Sequence, residues 1–191
     1  AITNLGSLEL VVGSGASDKL LLDAASAATS LTFSGSTGTL ELNTVGTLTL
    51  ANAFAIGANT VKLDGLTSAL TANSGISIGT GTITGLGTVT GAITASGAAQ
   101  ITANGGTLTI ASAINDSGGA LVLPVNGATD ILKLNAASAA HTVTFSSTVT
   151  LELNTAGTLT IGGALALSTG QGNLGCGYSA PAAKRPYSIL S

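Results

Sequence analysis

Charged side chains are scarce in this sequence. Only 7 % of the 191 residues are Asp, Glu, Lys or Arg, and 3 % are aromatic, whereas roughly a quarter of the residues in a typical globular domain are charged. Without a basic stripe or stacking aromatic residues, the chain is not expected to bind nucleic acid. Since no run of about 18 apolar residues occurs, no membrane-spanning helix is expected either.

Cysteine occurs only once, as Cys176. One cysteine cannot form an intramolecular disulfide or supply a cysteine-rich zinc site, so we expect Cys176 to be a small buried residue. The chain does not begin with Met, which predicts a processed chain or an excerpt.

What the sequence does have is apolar content and glycine. Hydrophobic residues make up 45 % of the chain, and 27 residues are Gly. A disordered chain lacks so many apolar residues. We therefore expect a folded core built from Leu, Ile, Val and Ala, with few large aromatic side chains.

A long segment of the chain occurs twice. Residues 18–56 return as residues 130–167 with one single-residue gap. Low complexity alone does not explain the match, because rare residues are also repeated: Phe33 aligns with Phe145. The duplication indicates a repeat array.

A shorter unit recurs inside this repeat: a strand, an Asn, one or two residues, a Gly and a second strand. Asn bonds to neighbouring main chain and Gly accepts positive φ, so the unit predicts a turn between two strands. The Asn positions are Asn43, Asn73, Asn104, Asn135 and Asn154, and the Gly positions are Gly46, Gly106 and Gly157.

The strands alternate apolar and polar residues with period two. In Thr47-Leu48-Thr49-Leu50 the leucines are predicted to face one side and the threonines the other. Charged residues inside strands, such as Glu41 and Glu152, stand between apolar neighbours. We therefore expect every strand-borne charge to point outward from a purely apolar core.

Two all-β architectures fit these short strands: an antiparallel sandwich or barrel, and a parallel β-solenoid (β-helix). Most turns lack the Asn-Gly or Asp-Gly signal of hairpins. The Asn or Asp at the ends of apolar segments recurs at intervals of 20, 30, 31, 31 and 19 residues. We interpret each interval as about one coil, with the Asn side chains stacked in a ladder. The solenoid is favoured, with about six to nine coils of about 18 to 31 residues.

The segments GTLTLANAFAIGANTVKLDG and GAITASGAAQITANGGTLTI resemble the β-strand repeats of bacterial autotransporter passenger domains. They are also similar to filamentous-haemagglutinin-like adhesin repeats, and the resemblance covers about residues 1–175. It implies a right-handed parallel β-helix located outside the cell or on the bacterial cell surface, often as part of a longer stalk. It implies no catalytic residues.

The repeat pattern ends near residue 177. Residues 1–177 are therefore predicted to be the solenoid domain, and residues 178–191 a tail that caps its end or docks to a partner. The residues proposed for that role are Tyr178, Lys184, Arg185 and Tyr187. The beginning of the chain enters the repeat almost at once, which predicts truncation or head-to-tail stacking.

Chemistry-bearing residues are few and scattered. Asp18 with Asp23, and Asp130 with Asn135, are the closest polar groupings, and we interpret them as turn residues. His141 is the only histidine and has no recognisable nucleophile or orienting partner, so it is expected on the rim. No enzyme activity, cofactor or metal site is predicted.

Thr-x-Thr pairs suggest one further use of the fold. They occur at Thr47/Thr49, Thr82/Thr84, Thr88/Thr90, Thr107/Thr109, Thr142/Thr144 and Thr158/Thr160. On one flat, charge-free face such pairs would form an ice-binding surface. The plainer interpretation is that Thr, a β-branched polar residue, is favoured on the solvent-facing side of a strand.

The sequence thus predicts a non-enzymatic extracellular solenoid that is structural or adhesive. It is expected to associate with itself end to end or to belong to a larger parent chain, and no receptor or ligand can be named. The two alternatives are an ice-binding solenoid and, less favoured, a carbohydrate-active β-helix enzyme, which would need acids converging in a groove.

Overall fold

A computed structural model describes residues 9–13, 15, 18–146, 149–154, 156–167 and 173–176. All secondary-structure elements in this part of the chain are β-strands, and all strand pairs are parallel. The first seven strands are β1 Glu9–Val12, β2 Lys19–Leu22, β3 Ala25–Ala28, β4 Ser30–Phe33, β5 Thr39–Leu42, β6 Thr47–Leu50 and β7 Phe54–Gly57. The next seven are β8 Thr60–Ala72, β9 Ile76–Ile78, β10 Thr82–Thr90, β11 Ile93–Ala95, β12 Gln100–Ile110, β13 Ile114–Asp116 and β14 Val122–Val125. The last seven are β15 Ile131–Leu134, β16 Ser138–Ala140, β17 Thr142–Phe145, β18 Thr150–Leu153, β19 Leu159–Ile161, β20 Leu165–Leu167 and β21 Asn173–Cys176.

The strands stack into three parallel layers, which we name faces A, B and C. Face A contains β2, β5, β14, β17, β20 and the first parts of β8, β10 and β12. Face B contains β3, β6, β15, β18, β21 and the second parts of the same three long strands. Face C contains β1, β4, β7, β9, β11, β13, β16 and β19. The chain follows A, B and C in turn, and this makes a β-solenoid of about seven coils, numbered 1 to 7 from β2.

The coils are shorter than the longest of the Asn intervals in the sequence. Their lengths also differ less than those intervals do. On face A, paired residues of successive coils are 18 positions apart between Thr82 and Gln100, and 22 apart between Thr60 and Thr82. The intervals of 30 and 31 residues are therefore not single coils. Coils vary in length because the corners between faces hold different numbers of residues.

Alternation along each strand builds the core. In β5 the inward Leu40 and Leu42 are fully buried, while Glu41 between them points outward. The same pattern repeats in β15, where Lys133 lies between the buried Leu132 and Leu134. Stacking such strands places like residues above one another at a spacing of about 4.8 Å, which gives a continuous aliphatic core.

The core is not purely apolar, in contrast to the sequence prediction. In the part of the chain that the structure describes, five polar side chains are buried, namely Ser26, Asn59, Ser68, Asp130 and Ser138. Asn59 accepts a hydrogen bond from the Gly38 amide at 2.8 Å and donates from Nδ2 to the Ile56 carbonyl at 2.9 Å. These groups serve main-chain atoms at the corners, where the ladder between strands is interrupted.

The duplicated segments fold in the same way but occupy different faces. The pairs β2–β5 and β3–β6 of the first copy correspond to β15–β18 and β16–β19 of the second. In the first copy these pairs lie on faces A and B, and in the second on faces B and C. The repeat is therefore rotated by one face about the solenoid axis.

Candidate functional site

The Asn residues predicted to form a ladder lie at two different corners. Asn43 follows β5 at the corner between faces A and B, where its Nδ2 donates to Asp23 Oδ1 at 2.7 Å. Asn135 and Asn154 follow β15 and β18 at the corner between faces B and C, and Asn154 Nδ2 donates to Asn135 Oδ1 at 3.2 Å. Each contact joins two adjacent coils.

The other two Asn residues do not continue these pairs. Asn73 follows β8 at the corner between faces B and C, and Asn104 lies inside β12 where that strand bends from face A to face B. Both are exposed. The single ladder through all five residues was therefore a wrong prediction, because the intervals of 30 and 31 residues exceed one coil and move the Asn to another corner.

The turn glycines are required for two different reasons. A Cβ on Gly46 would lie 2.0 Å from the Leu22 carbonyl oxygen of the preceding coil, and one on Gly157 would lie 2.6 Å from the Leu134 oxygen. Close approach, not positive φ, thus excludes a side chain at these two positions. Gly106 differs, since its φ of 153° is one that other residues rarely adopt.

The aspartates at the start of the two repeat copies are turn residues, in agreement with the sequence interpretation. Asp18 Oδ2 accepts the Gly15 amide at 2.8 Å. Asp130 is buried, and its Oδ1 accepts the amides of Gly105 and Gly106 at 2.9 and 3.1 Å. Both carboxylates therefore satisfy main-chain donors of Gly-rich turns.

The described residues do not assemble a metal-binding grouping. No three His, Cys, Asp or Glu side chains in this part of the chain come close enough to share an ion. His141 is exposed on the rim and lies against the Gly163 backbone. Tyr178, Lys184, Arg185 and Tyr187 lie outside the described residues, as does the tail they belong to.

Face A carries a cluster of ion pairs across coils 1 to 3. Lys19 Nζ is 2.8 Å from Glu41 Oε2, and Lys62 Nζ is 3.6 Å from Glu41 Oε1 and 2.9 Å from Asp64 Oδ2. The hydrogen bond from Lys19, together with the charge of Lys62, lowers the pKa of Glu41 below its ordinary value. The hydrogen bond to Asp64 raises the pKa of Lys62. This cluster connects three successive coils through their outward side chains.

Face B carries a different outward surface in coils 2 to 5. Register places Thr47, Ala69, Thr88 and Thr109 in one row across the coils, and Thr49, Thr71 and Thr90 in a second row beside it. We name the six threonines of these rows the threonine platform. The positions before it, in coil 1, are Ala25 and Ala27.

The threonine platform contains no charge over its whole length. The first charged residue in its rows is Lys133 in coil 6, which pairs with Glu152 in coil 7 at 2.8 Å between Nζ and Oε1. Face A also carries a row of threonines, Thr39, Thr60 and Thr82, but the row beside it contains the charged Glu41 and Lys62. Face A holds the ion-pair cluster, and face C shows a single outward row of Ala55, Ser77, Thr94 and Asn115.

Sequence reasoning identified the Thr-x-Thr pairs but could not assign them to faces. Thr82/Thr84 and Thr142/Thr144 lie on face A, whereas Thr47/Thr49 and Thr88/Thr90 share face B. Thr71 belongs to the threonine platform although it is not part of a pair. Only the register of the strands reveals this set.

Comparisons with known proteins give no match. No protein-family model matches the sequence, and no curated protein or solved structure is significantly similar to it. None of the described residues belongs to a helix long and apolar enough to cross a membrane.

Proposed function

We propose that this chain is a non-enzymatic structural or adhesive solenoid, a segment of a rod that extends by stacking coil on coil at the bacterial cell surface or outside the cell. The observation that carries the proposal is the rotated repeat. Its strands pair in the same way on faces A and B in the first copy and on faces B and C in the second.

Such interchangeability is what an extendable rod needs. Each coil buries its aliphatic side chains mainly against the coils before and after it, so stability comes from nearest-neighbour stacking. Corresponding strand pairs are accepted on two different faces. Copies of the repeat therefore do not have to begin on the same face of the solenoid.

The outward charges support the same function. Ion pairs between Lys19 and Glu41 and between Lys133 and Glu152 connect adjacent coils instead of converging on a groove. A carbohydrate-active enzyme would need neighbouring carboxylates aimed at one bond. The resemblance of the sequence to autotransporter and haemagglutinin-like repeats supports the extracellular placement.

The experiment is sedimentation of the purified chain over a wide concentration range, combined with negative-stain electron microscopy. We expect linear assemblies that grow in length with concentration while their width stays that of one solenoid. A chain that remains monomeric at every concentration, or that only clusters side by side, would contradict the proposal of an end-to-end rod.

A further inference from the structure

We infer that the threonine platform on face B is an ice-binding surface. Its six threonines are Thr47, Thr49, Thr71, Thr88, Thr90 and Thr109. This inference goes beyond the structural role, because a rod needs only outward residues that favour strands. It does not need them to be neutral and aligned on one face.

The platform repeats in two directions. Across the coils, Thr49, Thr71 and Thr90 are direct neighbours in register, so their side chains are about 4.8 Å apart. Along the strands of coils 2 and 4, the pairs Thr47/Thr49 and Thr88/Thr90 are two residues apart, which is about 6.8 Å. A surface with two fixed repeat distances can match a partner that is itself a lattice.

The platform threonines lie on the outward side of face B, where Thr49 is exposed and the other five are half-buried. Some threonines elsewhere bond to their own chain: Thr67 Oγ1 donates to the Thr44 carbonyl at 2.8 Å, and Thr102 Oγ1 to the Pro124 carbonyl at 2.7 Å. Within the described part of the chain, no such bond engages the six platform hydroxyls. Each can therefore bond to ordered water, while its methyl group keeps the surface partly apolar.

The absence of charge on the platform favours ice over other extended partners. Ice is neutral, and so are the platform and the residues Ala25 and Ala27 beside it in coil 1. An ammonium or carboxylate would hold its own hydration shell against the lattice. Polysaccharide surfaces usually stack on aromatic rings, yet no aromatic side chain lies in the two rows.

The test is thermal hysteresis and partition of the purified chain into a slowly growing ice front. Thr90→Lys puts a strongly hydrated charge in the second row. Thr82→Lys is the matched control, because Thr82 lies in the same strand, points outward with similar exposure, and belongs to face A. Circular dichroism verifies that both variants are folded.

The inference predicts measurable hysteresis and enrichment in ice for the wild-type chain and for Thr82→Lys. In Thr90→Lys most of the hysteresis and of the enrichment should be lost. Absence of both in the wild-type chain would overturn the inference, as would an equal loss in the two variants. Binding to insoluble cellulose or chitin without any effect on ice would also overturn it.

Discussion

Ser26 and Ser138 occupy the same position in the two copies of the repeat and make the same hydrogen bond on different faces. Ser26 Oγ donates to the Ala24 carbonyl at 3.1 Å on face B, and Ser138 Oγ donates to the Ala136 carbonyl at 3.0 Å on face C. Both side chains are buried. The repeat therefore carries its own corner chemistry with it, whichever face it joins.

This relationship predicts that Ser138→Ala destabilises the fold. Ser138 Oγ also accepts the Ile114 amide at 3.3 Å, so the variant leaves a buried donor without its partner. We expect the free energy of unfolding to fall by about 1–3 kcal/mol, measured by urea denaturation. Ser77→Ala is the control, since Ser77 also lies in a face C strand but is exposed. Equal effects of the two substitutions would contradict the role given to the buried hydroxyl.

The second prediction concerns close approach between coils. Gly46→Ala would place a Cβ 2.0 Å from the Leu22 oxygen, so coils 1 and 2 would have to separate locally. We expect a loss of about 3 kcal/mol in the free energy of unfolding. Gly162→Ala is the matched control, because the nearest atom to its Cβ is the Ala140 oxygen at 4.0 Å; it should change stability by less than about 0.5 kcal/mol. A mild effect of Gly46→Ala would show that the turn adjusts freely.

Much of the fold could be predicted from the sequence because alternation is local. The buried Leu40 and Leu42 on either side of the outward Glu41 follow directly from period two. The number of residues at a corner cannot be predicted from the local sequence, because it depends on the distance between the end of one strand and the start of the next in the folded coil. The ladder prediction was therefore wrong for Asn73, which lies one corner further along the coil than Asn43.

The same limit applies to the candidate surface. Pairs such as Thr88/Thr90 are visible in the sequence, but their neighbours across the sheet are not. Thr71 lies beside Thr49 and Thr90 only because β8 spans two faces, so that its second part joins face B. The rotation of the repeat could not be predicted for a similar reason, since the sequence of a strand does not indicate which face of the solenoid it joins.

The third prediction concerns the pH dependence of the ion-pair cluster. Hydrogen bonding from Lys19 lowers the folded-state pKa of Glu41 from 4.5. Its stabilising contribution is therefore fully present above the unfolded pKa and is lost as the pH falls through the lower, folded value. We expect Glu41→Gln to reduce the stability difference between neutral and strongly acidic solution, measured by urea denaturation at each pH.

In alkaline solution the pH dependence of stability has the opposite sign, because the group that titrates there is a lysine. The folded-state pKa of Lys62 is raised above 10.5, so its contribution is present below that value and is lost as the pH rises through the folded pKa. Lys62→Gln should therefore weaken the dependence of the unfolding free energy on pH in alkaline solution, whereas Glu41→Gln should weaken it in acid. An unchanged pH dependence in acid for Glu41→Gln would show that other carboxylates govern acid unfolding.

The last prediction concerns the strand edge used for stacking. Among the described strands, β2 pairs with β5 alone. The Asp18 and Leu22 carbonyls accept amides from coil 2, namely Thr39 and Asn43, so by alternation the main-chain groups of Leu21 point to the opposite edge. Proline at position 21 removes a donor from that edge and should leave the β2–β5 ladder in place, because edge strands tolerate proline.

We expect Leu21→Pro to shorten or abolish the linear assemblies in electron microscopy and sedimentation. Leu21→Thr is the matched control: it removes an apolar side chain that is 41 % exposed but retains the amide and a residue that favours strands. If main-chain pairing builds the rod, Leu21→Thr should still assemble. If both variants lose assembly equally, the exposed leucine and not the strand edge holds the chains together, and stacking of coil on coil is the wrong description of the contact.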